Sequence, residues 1–215
     1  MILTFYFIIL GFIWAGCGNS VSASVLPMAP HGMRSPVSEL RDTLLARLSE
    51  AYTAYFDVEP VQDGSPLKAL CAYHSRGSQY VLIKKAELWA AETHEYLYLY
   101  SLPRLDFTSL VELQARTLED GMPRIRPHSQ HMCTYLSAVV LCDQADPDAL
   151  AQLQKLKKHR DFKLSLHGWM EFRIAAVDLS TGDIATNRSG KDLGKSLSGL
   201  VAREIQKFKL RRGET

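Results

Sequence analysis

The most restrictive feature of this 215-residue chain is the run Met132–Cys142, which is apolar at both odd and even positions. A strand with one wet face alternates apolar and polar residues. A strand that is apolar throughout must be covered on both faces, as in the centre of a sheet. Such a strand needs paired neighbours on either side and helices above and below. At 47% hydrophobic and 22% charged residues, the composition suits a globular domain with a core large enough to need no disulfide or metal staples. The expected domain spans residues 37–212.

The flanking patterns supply the other elements. Leu40, Leu44, Leu48, Tyr52 and Tyr55 recur at helical spacing, predicting an amphipathic helix over Pro36–Phe56. Asp57–Pro66 reads as a loop. Strands are expected at Leu67–His74 and Gln79–Ala91, joined at Arg76-Gly77, and then at Glu95–Ser101 after a turn at Glu92-Thr93-His94. In the last of these Tyr96, Tyr98 and Tyr100 face one way and Leu97 and Leu99 the other. Asp106 can cap a helix running to about Asp120, with Phe107, Leu110, Val111 and Leu118 inward. Asp146-Pro147 starts another helix, expected to reach about His159 with cations in its last turn. Phe162–Leu179 reads as one long strand bent at Gly168, Ile184–Asn187 as its hairpin partner, and Lys191–Leu210 as a final helix. The order αβββαβαββα predicts an α+β fold, a mixed and mainly antiparallel sheet with helices packed on it.

Ahead of the domain, Met1–Gly16 carries no charge, and Trp14-Ala15-Gly16-Cys17 resembles a lipobox with Cys17 as the lipidated residue. Residues 1–17 thus read as an apolar leader and 18–36 as a flexible tether. A plain signal peptide cut near Ala23, or a start at Met28 or Met33 with no leader at all, are the alternatives. A genuine leader implies a membrane-anchored or exported protein, and its absence a cytoplasmic one.

Function is less legible. The formal net charge of +2 argues against a dedicated nucleic-acid binder. Cys71, Cys133 and Cys142 lie in apolar runs without Cys-x-x-Cys spacing and read as buried thiols. No cofactor motif is present. Strand parity places His167, Trp169, Glu171 and Arg173 on one face, a stacking plane beside hydrogen-bonding forks, and so a candidate binding surface. A solvated sheet face is the competing interpretation. Arg188 and Lys191 flank the last helix's start, where an anion could bind. His128 and His131 form His-x-x-His, but no third metal ligand is evident. The first expectation is therefore a non-enzymatic binding or interaction domain for an anionic ligand or a protein partner. The alternative is a hydrolase or nuclease-like enzyme using His128, His131 and Glu95.

Two resemblances bear on this choice. The helix, three-strand meander, helix, strand order resembles the core of restriction-endonuclease-like nucleases, which implies an Asp followed by Glu-x-Lys on the next strand to hold Mg²⁺. Here that strand reads Glu95-Tyr96-Leu97, with Lys84, Lys85 and Glu87 on the preceding one, so the resemblance implies an inactive or altered copy. Separately, His167-Gly168-Trp169, Arg173, Asp178 and Thr186–Lys191, with Pro127–Met132 and Tyr80–Glu95, resemble an uncharacterised bacterial domain family over about residues 37–191. That family has no assigned activity. Its members start near the first helix, which implies a leaderless, cytoplasmic protein.

Overall fold

Seven strands form one mixed sheet in the order β1-β2-β3-β4-β6-β5, with β7 beside β5 along the same edge of β6. The computed structural model describes residues 35–80 and 87–213, with side chains at all of these except 76–80 and 87–91. These residues fall in one compact unit, Arg34–Thr215. The leader with Cys17, the tether as far as residue 34, the alternative starts at Met28 and Met33, and Lys84 and Lys85 lie outside the described residues.

The elements are α1 (Pro36–Tyr52), β1 (Asp57–Pro60), β2 (Leu67–Tyr80), β3 (Glu87–Leu105), α2 (Phe107–Arg124), β4 (His131–Ala145), α3 (Pro147–Lys155), β5 (His159–Asp161), β6 (Trp169–Asp178), β7 (Ile184–Thr186), a 3₁₀ turn (Arg188–Gly190) and α4 (Lys191–Arg211). The α+β architecture is as expected, a mixed sheet flanked by helices. Among the six pairings, β3–β4 and β4–β6 are parallel and the other four antiparallel. The apolar run is the central strand β4. Its even positions Leu136, Ala138 and Val140 join Tyr98, Tyr100, Phe172 and Ile174 in a core under α2 and α3. Its odd positions Val139 and Leu141 join Leu97, Leu99, Ala175 and Val177 in a second core under α1 and α4. Parity therefore sorts the tyrosine stripe as expected. Tyr98 donates to Asp120 Oδ2 at 2.6 Å, while the Tyr100 hydroxyl lies 2.8 Å from that of Thr117, so both phenols are satisfied under α2.

Several boundaries differ from expectation. Asp57–Pro60 is an edge strand, where Pro60 is tolerated because no ladder donor is needed there. β2 runs straight through Arg76-Gly77, and β3 through Glu92-Thr93-His94 to Leu105, so the meander is built from β1, β2 and β3. In α2 the inward stripe is Leu110, Leu113, Thr117 and Gly121, whereas Phe107 and Val111 are exposed. Helix α3 stops at Lys155. Its Asp146 N-cap makes no side-chain cap bond and instead pairs with Arg104 at 2.8 Å.

The largest difference concerns Phe162–Leu179. The strand β6 begins only at Trp169, and Phe162–Gly168 is a turn that reverses the chain between β5 and β6. Lys163, Leu164 and Ser165 hold φ of 48°, 52° and 66°, one short left-handed stretch, and Gly168 has φ +76°. Leu164 and Leu166, expected inward by parity, are 93% and 76% exposed. Parity carries information only while the chain stays extended. Among the described residues no helix is long and apolar enough to cross a membrane.

Candidate functional site

Toward the start of the parallel strands, the face that carries α1 and α4 changes from apolar to polar. Cross-strand register aligns Tyr73, Glu95, Tyr135, Glu171 and His159 in one row across β2, β3, β4, β6 and β5. The next row toward the core holds Leu97, Ser137 and Arg173, and the row on the opposite side, away from the core, holds Thr93, Cys133 and Trp169. Trp169, Glu171 and Arg173 do share a face, and all three are half-buried. His167 does not join them. It lies in the turn, where its carbonyl receives the ring Nδ1 of His131 at 2.7 Å.

Neighbours fix each side chain on this floor. Ser137 donates to Glu95 Oε1 at 2.5 Å. The Arg173 guanidinium lies over the Tyr135 ring, 3.1 Å from its centroid, and its buried Nε has no hydrogen-bond partner. Burial pushes the Tyr135 phenol above its usual pKa. At the end of α1, Tyr52 packs edge-on to Phe56, which packs on Tyr73. Burial, reinforced by the Glu95 carboxylate, raises the Tyr52 phenol strongly.

At the β6 edge the floor opens into a cleft of ≈ 580 Å³ lined by Gln154, Lys155, Leu156, Lys157, Glu171, Arg188 and Ser189. Glu171 is its single carboxylate, and both oxygens are engaged. Oε2 meets His159 Nδ1 at 2.6 Å, and Oε1 accepts from the Ser189 hydroxyl. The other His159 nitrogen lies 3.3 Å from Asp161. Its hydrogen bond to Glu171, and then that to Asp161, hold the imidazole pKa above the ordinary histidine value. Lys155, Lys157 and Arg188 are exposed and have no carboxylate partner among the described residues.

Asn187 positions this wall. It is fully buried at the gap between β5 and β7 on the edge of β6. Its Oδ1 accepts from Ile174 N at 3.2 Å and Gly190 N at 2.8 Å, while Nδ2 donates to Leu156 O and Phe172 O, both at 3.1 Å. The carboxamide thus stands in for a peptide unit of the ladder and caps the turn that presents Arg188 and Ser189. Lys191, expected to act with Arg188, lines a different groove between β7 and α4, with Gly194 and Lys195.

The alternative set of His128, His131 and Glu95 is divided by the sheet. Glu95 bonds Ser137 on the α1/α4 face, whereas His131 bonds Thr134 on the α2/α3 face. A carbonyl can only accept, so His131 Nδ1 donates to His167 O, and Nε2 is taken up by the Thr134 hydroxyl, 2.8 Å away. Neither nitrogen then has a lone pair for a metal. His128 instead meets Glu92 at 3.1 Å. On the same face the Nδ1 atoms of His74 and His94 lie 2.8 Å apart, and one must carry the shared proton. Desolvation, then His74 and His131, lower the His94 pKa. No group of three or more potential ligands able to hold a metal occurs among the described residues.

Sequence reasoning missed Tyr135, Ser137, His159, Ser189 and the role of Asn187. Tyr135 and Ser137 interrupt the odd positions of the apolar β4 run, the only local sign that this end of the strand borders a polar floor. No curated protein and no solved structure matches the chain. The model of a family described as a domain of unknown function (DUF8052) matches residues 41–199, a span that includes the floor, the cleft and Asn187. With most of its length matched, the chain belongs to that domain-of-unknown-function family.

Proposed function

We propose that this domain is a non-catalytic binding module that takes a small phosphate- or carboxylate-bearing ligand in the cleft beside β6. The observation that carries this reading is the charge balance of the cleft. Lys155, Lys157 and Arg188 line the cleft without carboxylate partners, while the one carboxylate is hydrogen-bonded by His159 and Ser189. Arg188 supplies a bidentate fork and the lysines supply point charges. Arg173 on the adjoining floor, its guanidinium over the Tyr135 ring, supports the same reading. The carboxylates Glu95 and Glu171 are both already hydrogen-bonded, which favours holding a ligand over transferring protons to it.

Calorimetric titration with inorganic pyrophosphate and with citrate tests this. Binding of at least one is expected, weakening steeply with added salt. Arg188→Ala and Lys157→Ala should each weaken it about tenfold, the loss of one charge-assisted hydrogen bond. Absence of heat for both anions at millimolar concentration, at low salt, sinks the reading.

The site should also respond to pH. Below the elevated pKa of His159 the imidazolium offsets Glu171, and above it the site loses that one positive charge and the Glu171 carboxylate opposes an incoming anion. Anion affinity is therefore expected to fall as pH rises through the His159 pKa, which lies above the ordinary histidine value of about 6.5. His159→Gln should flatten that profile. A profile in the variant as steep as in the parent would assign the pH dependence elsewhere.

A further inference from the structure

The turn between β5 and β6 is closed by its own hydrogen bonds, yet it holds two leucines in water. Phe162 anchors it, packing edge-on against His131. Backbone bonds close it: Phe162 N to Gly168 O at 2.9 Å, His167 N to Phe162 O at 3.1 Å, Leu166 N to Lys163 O at 3.0 Å and Gly168 N to Ser165 O at 3.1 Å. Asp161 accepts from the Ser165 hydroxyl across its neck. Within this frame Leu164 is 93% and Leu166 76% exposed, at and beside left-handed residues that L-amino acids seldom adopt. A loop free to relax would fold these side chains back. Strain retained around exposed apolar groups points to a contact made outside the chain.

We propose that this turn is a docking tip for an anionic lipid bilayer, inserting Leu164 and Leu166 among the acyl chains while Lys163 and Arg160 meet the headgroups. Charge selects the partner. Arg160, on the strand that enters the turn, and Lys163, within it, are both exposed. The nearby acid, Asp161, is already held by Ser165 and His159. Exposed leucines flanked by these two cations match an anionic membrane surface, where apolar insertion and headgroup attraction add. A lone insertion of this size gives only marginal, reversible binding, and stable attachment takes a second element. The leucines and Arg160 do not line the anion cleft, so this proposal stands apart from the one above.

The full chain is tested with vesicles of phosphatidylcholine containing about one third phosphatidylglycerol, and with phosphatidylcholine alone. In Leu164→Trp, the emission added over the parent protein should shift to the blue on the anionic vesicles and be quenched by acyl-brominated lipid. L164S/L166S alters only exposed side chains and should fold with unchanged thermal stability. Its affinity for the anionic vesicles should fall at least about tenfold, the loss of two partly inserted leucines. Added emission that stays unquenched in Leu164→Trp overturns the proposal, whatever the rest of the chain does. So does an unchanged vesicle affinity in L164S/L166S. A dimer of the chain that dissociates in L164S/L166S while vesicle binding persists would assign the leucines to a second copy instead.

Discussion

Asn187→Ala is expected to lower the unfolding free energy by about 4 kcal/mol, a large share of the 5–15 kcal/mol typical of a domain. The side chain is buried completely and uses all of its hydrogen-bonding capacity on backbone groups of β6, the turn after α3 and the 3₁₀ turn. Truncation takes the side-chain partner from the Ile174 N–H and from the Leu156 and Phe172 carbonyls, while the Gly190 N–H keeps the Asn187 carbonyl at 3.1 Å. A buried polar group left unpaired costs about 1–3 kcal/mol, and these costs add incompletely because water can enter the vacated space. Asn187→Asp should be at least as damaging, since it keeps the acceptors but sets a carboxylate against two carbonyl oxygens. Urea unfolding followed by circular dichroism checks both variants, and a loss below about 1.5 kcal/mol in each would show that the node is dispensable. Any folded Asn187→Ala protein should also bind pyrophosphate more weakly, because Arg188 and Ser189 lose their footing.

Gly168→Ala is expected to cost about 3 kcal/mol or more, from two sources. The φ of +76° is unfavourable for alanine, by about 1 kcal/mol. A Cβ there would also lie closer than 3.0 Å to the backbone carbonyls of His131 and Met132, which cannot swing aside. Gly64 is the control. It has the same φ of +76°, and nothing lies within 4 Å of the position a Cβ would take, so Gly64→Ala should show the conformational part alone. For a domain of this size about 1 kcal/mol corresponds to 2–4 °C in Tm. Thermal melts should therefore place Gly168→Ala at least about 6 °C below the parent and Gly64→Ala within about 4 °C. Equal shifts would remove the steric account.

Legibility followed the physics of each signal. The alternation of Tyr96–Tyr100 was readable because extended chain imposes a period of two, and the β4 run because burial on both faces leaves a continuous apolar stretch. The stripe Leu40, Leu44, Leu48 and the Asp106 cap, which accepts from Ser109 N at 2.7 Å, were readable because both are local. Edge strand β1 left no trace, since four residues with exposed faces carry no periodicity. In α2 the apolar Phe107 and Val111 competed with the true stripe through Thr117 and Gly121. Thr117 is buried because its hydroxyl bonds Leu113 O at 2.8 Å, and a hydropathy pattern does not see that bond. At the site, parity correctly grouped Trp169, Glu171 and Arg173, but wrongly extended the group to His167 across a turn.

From sequence alone came the helices, the two-sided burial of β4, and the shared face of Trp169, Glu171 and Arg173, all of which depend on neighbours within one element. Only the tertiary structure decided that the chain reverses at Phe162–Gly168, that Arg188 and Lys191 serve different grooves, and that Glu95 and His131 lie on opposite faces. It likewise joined Glu171 to His159 and Ser189, residues from three separate segments. Strand register and the closing of a turn are set by contacts between residues far apart in the chain, and no local period encodes them.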